Sequence, residues 1–113
     1  MIYDSFDIVI VPFPFSERAV SKRRPALVIS NRAFIERHAH VVLAMITSAS
    51  TADSSPWPSD VAIADPAAAG LHVPSVVRLK VFTIDRALIL RRAGTLGASD
   101  RKGVAKALDR WLA

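Results

Sequence analysis

At 113 residues, 51% of them apolar and none of them cysteine, the chain is the size of one domain with a single core, and disulfide-stapled scaffolds and thiolate chemistry are excluded. Fifteen Lys and Arg against ten Asp and Glu leave a formal charge of +5, which favours an acidic partner such as nucleic acid. No apolar run approaches the roughly 18 residues of a membrane span, and the opening MIYDSFDIVIV has Asp4 and Asp7 but no basic region, so neither a signal peptide nor a membrane partner is read and a cytoplasmic protein is expected.

In chain order, FDIVIVPF is a first strand buried on both sides, with Pro12 and Pro14 expected to end it. FPFSERAVSK is a loop, PALVIS a second strand and HVVLAMITS a third, with NRAFIERHA between them irregular or a single helical turn. SASTADSSPWPS, residues 48–59, is polar and proline-rich and reads as a surface loop. DVAIA is a short strand, and DPAAAGL a turn in which Gly70 suits a positive φ. SVVRLKVFTI alternates, with Val77, Leu79 and Val81 on one side and Arg78, Lys80 and Phe82 on the other, and ALIL supplies a last short strand. In SDRKGVAKALDRWLA the apolar residues Val104, Ala107, Leu108, Trp111 and Leu112 recur at helical spacing, with Ser99 as N-cap. Short strands closed by one helix make a mainly-β fold, a compact barrel with a C-terminal α-helix, as one domain over 1–113.

There is no glycine-rich phosphate loop, and four glycines could not build a dinucleotide fingerprint. His38, His40 and His72 do not form a metal set, and no serine sits in a nucleophile elbow. No metal or other cofactor is expected. What remains is a group of guanidinium and hydroxyl side chains. Arg24 precedes Pro25, and the residue before a proline is held extended. Thr47 and Ser48 close the third strand, and Arg78 stands in the middle of VVRLK. If these converge they fit a phosphodiester; Arg78 has the alternative of pairing with Asp60 or Asp85.

The segments FDIVIVPFPF, SKRRPALVIS, MITS, SVVRLKVFTID and RRAGTL, in this order, resemble the MazF/PemK family of toxins, and its PemK-like branch most closely. The resemblance implies an SH3-like, CcdB/PemK-type barrel, a homodimer, and a toxin of a type II toxin–antitoxin system that cleaves single-stranded RNA at short sequences without a metal and so inhibits translation and growth. It implies catalytic roles for Arg24, Thr47 and Arg78. The candidate RNA contacts are Lys22, Arg23, Ser48, Lys80, Phe15 and Trp57, the last two as stacking platforms. Phe13 is a further stacking candidate. A cognate antitoxin, acidic and partly disordered, is the implied protein partner. Two positions depart from the pattern: Phe6 stands where the family has a glycine, and Lys80 where some members have an aspartate proposed as the base. The base is therefore unassigned; His38 and His40 suit it by chemistry, but nothing in their spacing brings them near Arg24. The alternatives are a CcdB-like toxin that binds DNA gyrase, and a non-catalytic barrel that binds RNA or an antitoxin.

Overall fold

The computed structural model describes residues 1–13 and 22–112. Among the described residues, six strands form one antiparallel sheet: β1 (Asp7–Phe13), β2 (Lys22–Val28), β3 (His40–Ser48), β4 (Val61–Ala62), β5 (Ser75–Asp85) and β6 (Arg91–Thr95). Their order across the sheet is β4-β5-β3-β2-β1-β6. The sheet curls into a half-barrel, and the C-terminal helix completes the mainly-β architecture expected of the sequence. Phe15 lies outside the described residues, so its expected role in stacking has no structural counterpart here.

Alternation along the strands buries both faces of the sheet. Ile8, Leu27, Ala44, Ile46 and Val77 point into one cluster, which the C-terminal helix covers with Val104 and Ala107. Val9, Val11, Ala26, Val28, Leu43 and Ile84 form a second cluster on the opposite face, closed by Tyr3, Ile35 and Ile89. The centre of the sheet is thus held from both sides.

Several local expectations change. NRAFIERHA contains a two-turn helix, α1 (Arg32–His38). Asn31 caps it by accepting from the Phe34 N–H at 3.0 Å, and the chain leaves through Ala39 in the left-handed region. The polar stretch after β3 contains α2 (Ala49–Ser54), capped by Ser48. ALIL is not a strand: Arg86–Leu88 is a 3-10 turn, and the last strand is formed by Arg91–Thr95. Pro12 remains within β1, paired with Arg23. Beyond Ile10 that strand has no β6 partner, which is where a missing N–H is tolerated.

The alternation expected along β5 breaks in its middle. Met45 of β3 pairs with Arg78, but the next residue back, Ala44, pairs with Val81. The bulge at Leu79 and Lys80 reverses the facing of the later β5 residues, leaving Val81 40% exposed and turning Phe82 and Ile84 inward. The C-terminal helix α3 (Ala98–Leu112) buries Val104 and Ala107 but leaves Trp111 and Leu112 exposed. Its buried Asp100 accepts from the N–H groups of Ala64 and Asp65 at 2.8 and 3.1 Å, fastening the start of the loop after β4.

Candidate active site

The site begins with a strand pair that stops early. The β2–β3 register is Val28–Leu43, Leu27–Ala44 and Ala26–Met45, and there it ends. Pro25 has no N–H to give. Continuing the register would set Arg24 opposite Thr47, so these two residues flank a gap that the ladder does not close. A cavity of about 320 Å³ lies at this end of the sheet, with Ile10, Pro25 and Ile46 as its apolar floor and Arg24, Thr47 and Ser48 on its wall. Three of the residues singled out in the sequence thus share one concavity.

The far wall comes from segments to which the sequence reading assigned no role. The loop between β4 and β5 contributes Gly70, Leu71, His72 and Val73, and β6 contributes Arg91. The loop is held by backbone contact. Gly70 has φ 75°, and a Cβ there would lie 2.0 Å from the Ala93 carbonyl oxygen. A Cβ on Gly94 would come within 2.5 Å of the Ala69 carbonyl group. Only paired glycines allow this approach. Ala69 is fully buried beneath it, and the Ser75 hydroxyl donates to the Val73 carbonyl at 2.8 Å to secure the loop's exit. His72 gave little signal in the sequence because it reaches the site through a contact between segments over twenty residues apart.

Among the described residues, no carboxylate lines the cavity. Within the same set, Arg24 and Arg91 take part in no ion pair, whereas Arg32, Arg78 and Arg92 each face a carboxylate. Two such guanidinium groups beside hydroxyls have the charge and the directional donors that suit an anion. The Arg24 guanidinium lies 5.9 Å from the Phe13 ring centroid. Ser48 is already engaged: its hydroxyl donates to Thr51 Oγ1 at 2.8 Å and accepts from the Thr51 N–H at 3.4 Å.

Arg78 is not among the residues lining this cavity. Its Nε and Nη2 donate to the two carboxylate oxygens of Asp60 at 3.0 and 2.8 Å, and Nη2 also donates to the Ser55 carbonyl at 2.9 Å. The Arg78 hydrogen bond holds the Asp60 carboxyl below the usual carboxylate range despite its burial, and the same bond raises Arg78. The guanidinium lies 5.2 Å from the Trp57 ring centroid, and Trp57 remains 40% exposed. Lys22 and Arg23 are exposed at the start of β2, and Lys80 is exposed in the β5 bulge, away from the cavity lining. His38 and His40 lie at the other end of β3 from Thr47, about 23 Å along the strand for His40. Among the described residues no three His, Cys, Asp or Glu side chains gather into a metal-binding group, and no helix is long and apolar enough to cross a membrane.

Comparison with known proteins gives a consistent result. The family model described as "PemK-like, MazF-like toxin of type II toxin-antitoxin system" matches residues 4–112. Among solved structures, the chain is similar to the Mycobacterium tuberculosis toxin MazF-mt6, at 27% identity and a TM-score of 0.68 over 92% of this chain and 93% of that one. It also resembles MazF from Deinococcus radiodurans, at 24% identity and a TM-score of 0.71 over 99% and 97% of the two chains. A mycobacterial endoribonuclease solved in complex with its cognate antitoxin shares the fold at 17% identity, with a TM-score of 0.70 over 96% and 91%. The search of curated proteins by sequence found no match.

Proposed function

Because the chain belongs to the PemK-like, MazF-like family of toxins of type II toxin–antitoxin systems, we propose that it is an endoribonuclease that cuts single-stranded RNA at short sequences and thereby halts translation and growth. The observation that carries this reading is the cavity itself: Arg24 and Arg91, neither paired with a carboxylate among the described residues, stand around a threonine hydroxyl at the unclosed end of the β2–β3 pair. Such a site suits a phosphodiester that gains negative charge as it reacts.

The RNA supplies the nucleophile, its own 2′-hydroxyl. Attack on the adjoining phosphorus forms the 2′,3′-cyclic phosphate and expels the 5′-oxygen. Arg24 donates to the non-bridging oxygens and stabilises the charge that builds on them; Thr47 orients the same phosphate through its hydroxyl. Arg78 has Nε and Nη2 engaged by Asp60 and the Ser55 carbonyl, and it does not line the cavity. We therefore keep it as the support that presents Trp57 to a base, instead of as a proton donor. Lys22, Arg23 and Lys80 add phosphate contacts along the strand's approach. The partners we infer are a second copy of the chain and a cognate antitoxin whose acidic segment competes for the basic cavity; the similar mycobacterial endoribonuclease was solved in complex with its own antitoxin.

The test is to incubate purified protein with a long single-stranded RNA, with and without EDTA, and to sequence the new 5′ ends. Discrete cuts bearing 5′-hydroxyl groups, unchanged by EDTA, are expected. Intact RNA, or cuts that vanish in EDTA and return with magnesium, would remove this reading; intact RNA with gyrase inhibition would replace it by the CcdB-like one.

A further inference from the structure

We infer that His72 is the proton acceptor of this cavity, taking the proton of the attacking 2′-hydroxyl; the inference rests on the nuclease reading above. The sequence leaves the base open because Lys80 stands where some relatives of this sequence pattern have an aspartate. In the structure Lys80 is exposed in the β5 bulge and lines no part of the cavity. Among the described residues, the polar side chains on the cavity wall are guanidinium groups, hydroxyl groups and one imidazole. Guanidinium stays protonated, and a hydroxyl is a poor base. Imidazole is the side chain that takes up a proton between pH 5 and 8.

The described acids that are not exposed are engaged elsewhere. Asp60 is paired with Arg78, Asp7 accepts from Thr95 and from the Asp4 N–H, and Asp100 accepts from two backbone N–H groups. Arg24 from β2 and Arg91 from β6 line the same cavity as His72. His72 also borders a shallow groove that includes Asp65, whose Oδ1 accepts from the Ala68 N–H. The loop that carries His72 is held by the Gly70–Gly94 approach and the buried Ala69, so the acceptor sits on a fastened segment of the cavity that also holds the phosphate donors.

In the step, the 2′-O–H bond breaks and its proton passes to an imidazole nitrogen while the 2′-O–P bond forms. The P–O5′ bond breaks, and the 5′-oxygen takes a proton from water. The hydroxide so formed is neutralised by the imidazolium, which restores His72.

The experiment compares single-turnover cleavage of one RNA by the wild-type, His72→Ala and His72→Gln proteins between pH 5 and 9. The wild-type rate is expected to rise through the imidazole range. Both variants should be slower by about 100-fold or more, lack that rise, and, for His72→Ala, recover on addition of free imidazole. If His72→Ala does not fold, His72→Gln carries the comparison by its pH profile. Rates within about threefold of wild type, or an unchanged profile, would overturn the inference and leave the nuclease reading standing. Recovery on an RNA whose leaving 5′-oxygen is replaced by sulfur, which departs without a proton, would make His72 an acid and also overturn it. A wild-type protein that cuts no RNA would end both.

Discussion

Phe6 adopts φ 73°, a left-handed conformation that a bulky side chain rarely takes. It does so because the backbone is fastened on both sides: its N–H donates to the Val28 carbonyl at 2.7 Å, and its carbonyl accepts from the Leu96 N–H at 3.0 Å. The turn that a glycine makes without strain is therefore preserved here against a cost of about 1–2 kcal/mol. The ring offsets this by packing against the first core cluster, under the Arg101 guanidinium at 5.7 Å. The substitution at this position leaves the entry to β1 intact, so Asp7 still meets Arg92 and Thr95 and holds β6 to β1. Replacing Phe6 by alanine removes the packing and keeps the strain, whereas glycine removes both. Urea denaturation should find Phe6→Gly more stable than Phe6→Ala by about 1 kcal/mol, the reverse of the usual order. An alanine variant equal to or better than the glycine one would mean that the left-handed turn is not enforced.

At the scale of elements, the site depends on two junctions: the early end of the β2–β3 pair, and the loop–β6 contact through Gly70 and Gly94. The second predicts a separable effect. Gly94→Ala must push the 66–73 loop from β6, costing about 1–3 kcal/mol by overpacking, and should lower cleavage further than the lost stability explains, because His72 and Arg91 part company. Gly97→Ala, where an added methyl meets nothing within 4 Å, is the control and should be close to neutral in thermal melts and cleavage assays. Equal behaviour of the two variants would sever the loop from the site. These junctions also set what the sequence could reveal. Strands with their own bulk, such as Val41 to Ile46, are legible from alternation, and Arg24–Pro25 announces itself because proline restricts its neighbour locally. The bulge at Leu79 and Lys80 is hidden within an unbroken alternating pattern, since only the register with β3 exposes it. The short helix α2 is hidden by Ser, Thr and Asp, which favour turns as readily as caps. His72 and Arg91 are brought to the cavity by tertiary contact, and no local pattern encodes that.

Over the whole molecule, a curled sheet with a core on each face is rigid in the middle and open at one end, and that end carries the charge an RNA strand would seek. Arg78, Asp60 and Trp57 brace a surface outside the cavity lining, so in the proposed reading phosphate chemistry and base contact occupy separate regions. The proposed nuclease action requires Arg24 and Thr47 to act on one phosphate. The direct measurement is a double-mutant cycle on RNA cleavage with Arg24→Ala, Thr47→Ala and the combined variant, each checked for folding by thermal melt. Residues that act as a unit are strongly non-additive. Each single change is expected to abolish most of the rate, with the double variant scarcely slower than the worse single one. Losses that simply multiply, or undiminished cleavage by the Arg24→Ala protein, would contradict a shared phosphate site.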